Sequence, residues 1–155
     1  TCDAYVCEIP AQGRTEPQQH PFEELIYIVQ GGGATTVWQD GGSKQTCEWQ
    51  EGSLFSIPLN SRHQHFNVQG DVPARYVALT DAPQIINRFR NLDFIFGNSF
   101  AFTDRFSGEK GYFNGQGKEI THYRTWDSNF IVDIPSIKLR DRSTRGTGAT
   151  GIAFI

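Results

Sequence analysis

GSLFSIPLNSRHQHFN, Gly52–Asn67, joins an apolar β-forming run to a Pro-Leu-Asn-Ser turn and then to His63, His65 and Asn67 at even spacing. Side chains on a strand alternate between its two faces, so these three share a face if the stretch after the turn is extended. A second stretch, QQHPFEE, Gln18–Glu24, carries Gln18, His20 and Glu24, again separated by even steps. Read as one strand, it points all three to one side. Two imidazoles and a carboxylate converging from two strands form a 2-His-1-carboxylate set, which suits a divalent transition metal and leaves coordination positions open. His20, Glu24 and His63 are the candidate metal ligands, with Gln18 beside them. The Gln18 amide can ligate through its carbonyl oxygen, hydrogen-bond to a ligand, or simply occupy the position.

Outward from these stretches, the first two-thirds of the chain reads as short strands punctuated by turn residues. Residues 4–9 alternate weakly, and ELIYIVQ, Glu24–Gln30, is rich in the branched and aromatic residues that favour strands. Gly31-Gly-Gly33 then predicts a hairpin turn into residues 34–39, and Asp40-Gly-Gly-Ser43 a second turn into residues 45–50. Strands over residues 53–58, 60–68 and 74–81 follow. Only PQIINRFRN, Pro83–Asn91, has helical spacing, with Ile85, Ile86 and Phe89 about a turn apart and Pro83 suited to a first turn. Closely spaced strands without a long helix predict an all-β, antiparallel jelly-roll barrel with one short helix, an architecture that protects sheet edges by closure.

The two motifs resemble those of the cupin superfamily. The first cupin motif, G-x5-H-x-H-x3,4-E-x6-G, finds Gly13, Gln18, His20, Glu24 and Gly31, with Gly13 one residue too close and Gln18 where the first His is expected. The second, G-x5-P-x-G-x2-H-x3-N, finds Gly52, Pro58, His63 and Asn67 in register, with Asn60 replacing its glycine. Asn tolerates left-handed backbone better than other residues with a side chain, so that replacement is mild. The resemblance covers residues 13–67, and the overall run of the chain is similar to the first half of bacterial bicupins. It implies a barrel with a metal in its mouth.

The ligand set and the resemblance together point to a metal-dependent enzyme acting on a small oxygen-bearing organic substrate, with a dioxygenase favoured over a lyase or isomerase. The alternatives are a non-catalytic small-ligand-binding cupin, which the Gln18 substitution supports, and a structural half of a bicupin whose activity lies in the other half. Iron is the favoured ion, with manganese, nickel or zinc as alternatives. His65 shares the face of His63, and it is expected to contact substrate or a ligand, since the ligand set is complete without it. Tyr27, Trp38, Phe55 and Tyr76 are available to build an apolar pocket, with His65, Tyr27, Trp38 and Tyr76 as candidate substrate contacts.

Composition narrows the remaining classes. At 155 residues the chain has an ordinary core, aromatic-rich with twelve Phe, five Tyr and three Trp. A net charge of −3 gives no polyanion-binding surface, so nucleic acid is not expected as a partner. No apolar run is long enough to span a bilayer, and three cysteines, Cys2, Cys7 and Cys47, do not form a disulfide framework. A reducing cytoplasm is the default compartment. Cys47 reads as core, and Gly31–Gly33, with no following helix or Lys, as a turn and not a phosphate cradle.

Domain organisation divides near residue 91. Residues 1–91 hold both motifs and the helix, and 92–155 form a long aromatic and Gly-rich extension expected to pack on the barrel, a partner subunit or a second cupin domain. The aromatic segment 92–102 suggests a homodimer or a second domain. Residues 107–118 read as a Gly-rich loop, residues 129–134 and 138–140 as strand, and residues 141–150 as a joining segment before an apolar end, 151–155. A first residue of Thr, the absence of Met and that apolar end suggest the front portion of a longer protein.

Overall fold

The period-2 pattern of ELIYIVQ buries Glu24, Ile26 and Ile28 and turns Leu25, Tyr27 and Val29 the other way. The same alternation builds the rest of the barrel in a computed structural model that describes residues 2–116, 118–120, 125–137 and 151–153. Seven strands carry the barrel: β1 (Asp3–Ile9), β2 (Glu24–Gln30), β3 (Gly32–Trp38), β4 (Gln45–Gln50), β5 (Leu54–Ile57), β6 (Arg62–Asn67) and β7 (Ala74–Thr80). They form two antiparallel sheets. One runs β1-β7-β2-β5 and continues into β10 (Phe130–Ile131); the other runs β4-β3-β6. Residues 13–18 lie along the outer edge of β6, with Gln18 and His63 exchanging backbone bonds of 2.8 and 2.9 Å.

Register explains which side chains meet inside. Opposite residues of an antiparallel pair share a face, and β2 sets Glu24, Ile26 and Ile28 against Thr80, Ala78 and Tyr76 of β7. On the facing sheet, Thr35 lies opposite His65 and Val37 opposite His63. Ile26, Ile28, Val37, Phe55 and Ala78 are fully buried between the sheets.

The Gly31–Gly33 stretch is a correction to the sequence reading, because it is not a hairpin. β2 and β3 belong to different sheets, so the chain turns a corner there. Gly31 adopts φ 87°, and a Cβ on it would lie 3.0 Å from the Ala74 backbone. The turn at residues 40–43 does close a hairpin, pairing β3 with β4.

Helix α1 spans Ala82–Phe89, starting one residue before and ending two residues short of the expected Pro83–Asn91, and buries none of its residues. A second helix, α2 (Leu92–Gly97), was not expected: its aromatics masked it, and the Asn91 side chain caps it by accepting from the Phe94 N–H. Beyond it, Phe106, Phe113 and Phe130 join the barrel's own apolar cluster. Within the expected strand 129–134 only Phe130–Ile131 is strand, and Pro135 opens a 3₁₀ turn, Ile134–Ser136. Three short strands, β8 (Lys118–Ile120), β9 (Thr125–Asp127) and β11 (Gly151–Ala153), form a separate sheet in which β9 and β11 are parallel. The expectations for residues 138–150 and 154–155 lie outside the described residues. Among the described residues, no helix is long and apolar enough to cross a membrane.

Candidate metal centre

Glu24 opens β2 and His63 sits on β6, so two of the candidate donors come from facing sheets. His20 reaches them from the connection. QQHPFEE is not one strand as its spacing suggested, since the chain bends at Pro21 and Phe22, where proline fixes φ and offers no N–H to a ladder. His20 and Glu24 therefore converge across a bend. His20 Nε2 stands 3.8 Å from Glu24 Oε2, and His63 Nε2 stands 3.9 Å from the same oxygen. All three side chains are buried, and their donor atoms lie within 4.8 Å of one another.

The far side of each ring settles which nitrogen is free. His20 Nδ1 lies 3.2 Å from the Phe22 carbonyl and His63 Nδ1 lies 3.1 Å from the Ser61 carbonyl. A carbonyl oxygen only accepts, so both rings carry their proton on Nδ1 and turn a bare Nε2 lone pair toward Glu24. Burial, with His63 nearby, lowers the His20 pKa to about 3, and burial lowers that of His63 to about 4. Both are neutral at physiological pH, so their approach to Glu24 is a convergence of donors and not an ion pair. Burial also raises the Glu24 pKa, opposed by a hydrogen bond that the Tyr5 phenol donates to Glu24 Oε1.

Tyr5 thereby leaves Oε2 as the free oxygen. Glu24 Oε2 and His63 Nε2 are buried without a hydrogen-bond partner. Unsatisfied buried polar atoms cost about 1–3 kcal/mol each, and a cation between them removes that cost. The spacing suits it, because metal–ligand bonds of about 2.1 Å let one ion touch donors about 4 Å apart. Two neutral nitrogens and one carboxylate are the donors that divalent iron, manganese, nickel or zinc accepts.

Aromatic and backbone groups shape the mouth. Phe22 stacks on His20 with ring centroids 3.7 Å apart and planes at 3°, and Phe96 of α2 meets Phe22 edge-on at 6.3 Å. Asn60 does more than tolerate a glycine position. It holds φ 53°, and its Nδ2 donates to the carbonyls of Asn98 and Phe100 at 3.0 and 2.8 Å, tying the segment after α2 to the turn.

The other candidates fall in different places. Gln18 pairs through its backbone with His63, on the same face, and its side chain is exposed. His65 is buried, with Nδ1 2.7 Å from Thr35 Oγ1 and its ring 5.3 Å from that of Tyr76. Tyr76 is thus interior beside His65, and Phe55 is fully buried with its ring 6.5 Å from that of His65. Tyr27 and Trp38 are not in this group, a correction that alternation explains: each is on the strand face opposite the buried Glu24 and Val37. Trp38 instead sits under Lys44, 4.4 Å from its ring centroid. Asn67 ties together the carbonyls of Ile9, Pro10 and Val72. Tyr5 and Thr35 went unread in the sequence, because only strand pairing reveals which residue lies beside a ligand.

Residues 5–80 match the family model for the cupin domain. Among solved structures, the chain is similar to vicilin from hazelnut, Corylus avellana, at 13% identity and TM-score 0.48, covering 51% of this chain and 22% of that one. It is similar to Bacillus subtilis oxalate decarboxylase, a structure concerned with Mn(II) centres, at 19% identity and TM-score 0.47, covering 52% and 21%. A cupin 2 conserved barrel domain protein from Rhodopseudomonas palustris aligns at 21% identity and TM-score 0.46, covering 52% of each chain. This chain therefore spans only about a fifth of the vicilin and decarboxylase chains. No curated protein matches its sequence.

Proposed function

Because the chain belongs to the cupin superfamily through residues 5–80, we propose that it is a metal-dependent enzyme for a small oxygen-bearing organic substrate, with a dioxygenase favoured over a lyase or isomerase. One observation carries the reading: the bare, buried Nε2 of His63 and Oε2 of Glu24 face each other with their other atoms already tied down. His20, Glu24 and His63 would hold the ion, with the exposed Gln18 amide as a weak fourth donor at the rim. When bound, the ion would supply Lewis acidity or, as iron, electron transfer to dioxygen. The chain's own residues would set the rest. Phe22 and Phe96 would wall the entrance against water, Tyr5 would keep Glu24 pointing one oxygen inward, and His65 and Tyr76 would face the substrate.

Gln18 in place of a histidine keeps a second reading open, a cupin that binds a small ligand without turnover, or one half of a bicupin. Metal analysis after anaerobic purification separates these readings. A stoichiometric transition metal, with oxygen uptake on a panel of catechols, diketones and thiols, is the expected result; substoichiometric amounts of every transition metal would leave the binding module. Proton competition is a further expectation. The ion needs ionised Glu24, whose pKa burial raises, whereas His20 and His63 gain protons only near pH 3 and 4. Affinity should be steady above the raised Glu24 pKa and fall about tenfold per pH unit below it. Calorimetric titrations across a pH series would expose a flat profile, which contradicts Glu24 as a ligand.

Association is a separate proposal. Leu92, Phe94, Phe96 and Phe100 are exposed together on and after α2, which supports burial against a second copy or a second cupin domain. Light scattering at micromolar concentration should give a mass above the monomer; a clean monomer counts against the second copy.

A further inference from the structure

Resting on the metal-centre reading above, we propose that His65 is the hydrogen-bond donor of this site, an imidazole locked with its proton on Nε2 and aimed at an acceptor oxygen of the substrate. Thr35 fixes that choice. Its Oγ1 has one proton and two neighbours, Trp49 Nε1 at 2.8 Å and His65 Nδ1 at 2.7 Å. An indole N–H can only donate, so Thr35 accepts from Trp49. Among the described residues, the only acceptor its hydroxyl proton then reaches is His65 Nδ1. A proton on Nδ1 would leave the buried Thr35 hydroxyl without any acceptor, so Nδ1 accepts and the proton sits on Nε2.

The arrangement follows from strand register. Thr35 on β3 lies directly opposite His65 on β6, while Trp49 on β4 lies opposite Gly33. A Cβ on Gly33 would stand 2.3 Å from the Trp49 ring, so only glycine lets the indole lie across the strand to reach Thr35.

His65 therefore has the opposite polarity to its neighbours. His20 and His63 turn lone pairs inward, whereas His65 turns an N–H inward, and a nitrogen that carries a proton cannot ligate a cation. That N–H belongs to a side chain only 1% exposed, and it has no partner. Its ring lies 5.4 Å from that of His63. The acceptor it awaits is an oxygen with available lone pairs and excess negative charge, so the substrate class is a carboxylate, an enolate or a polarised carbonyl compound. A hydrocarbon or an ammonium cation, neither of which has a lone pair to offer, would leave the donor unsatisfied.

Nitrogen-15 correlation spectra of the metal-free protein, with histidine rings labelled, test the assignment directly. His65 should show a pyrrole-type Nε2 and a pyridine-type Nδ1, the reverse of His20 and His63; a pyrrole-type Nδ1 at His65 overturns the proposal. Thr35→Ser should keep the pattern and Thr35→Val should abolish the single tautomer, whereas an unchanged spectrum in Thr35→Val overturns the role of Thr35. In zinc-loaded protein, acetate serves as the probe. His65→Ala should weaken acetate binding about tenfold at unchanged zinc content. Equal acetate affinity removes the donor role, and parallel loss of zinc would make His65 a ligand instead. Wild-type protein that takes up no zinc refutes the metal centre, and the metal-free spectrum still decides the tautomer.

Discussion

His63→Ala is expected to cost at least about a hundredfold in transition-metal affinity while the protein stays folded. Removing groups that only orient a ligand commonly costs 10–100-fold, and His63 is proposed as one of three direct donors, mounted on a strand that the fold fixes in place. No neighbour can substitute. Gln18 is exposed, and His65 presents its Nδ1 to Thr35. Folding should survive, because His63 is neutral when buried and the sheets are held by strand pairing and an aromatic core. Equilibrium dialysis with inductively coupled plasma detection, on variants checked by circular dichroism, reads the effect. Gln18→Ala should cost much less, and Gln18→His should tighten binding by adding an imidazole. Equal loading of wild type and His63→Ala would refute the ligand assignment.

Phe106→Ala is expected to destabilise the protein by about 3–5 kcal/mol, the usual range for deleting a fully buried aromatic ring. Phe106 lies beyond α2, yet it is 0% exposed and belongs to the same cluster as Phe55, Phe113 and Phe130. Tyr112 meets it edge-on with centroids 4.8 Å apart. The barrel thus borrows part of its core from residues that the sequence assigned to an extension. Urea titration followed by tryptophan fluorescence measures the loss. A change below about 1 kcal/mol would mean that this part of the chain folds apart from the barrel.

What could be read in advance was what periodicity and motif spacing encode. Alternation at His63, His65 and Asn67 put the three on one buried face, and the run Glu24–Gln30 is the strand it resembles. Pairing between distant strands carries no comparable local signal. Hence Gly31–Gly33 read as a hairpin, although those glycines carry the chain from one sheet to the other. Tyr27 and Trp38 looked available as pocket aromatics until β2 and β3 showed their outer faces. α2 stayed hidden because Phe94, Ile95 and Phe96 favour strands as individual residues, and only the Asn91 cap announces a helix. Tyr5 and Thr35 became partners of Glu24 and His65 only through register across β1, β3 and β6.

Glu24 and His63 are far apart in the chain, sit on different sheets, and come within 3.9 Å only when the sheets face each other. The unfolded chain offers no such pair, so an ion held there would clasp the sandwich shut and recognise the folded form alone. Occupancy and unfolding then share one equilibrium, worth about 2.7 kcal/mol when the free ion stands at a hundred times its dissociation constant. Under that linkage, the metal supply of the surroundings would govern how long the protein persists, quite apart from any reaction it performs.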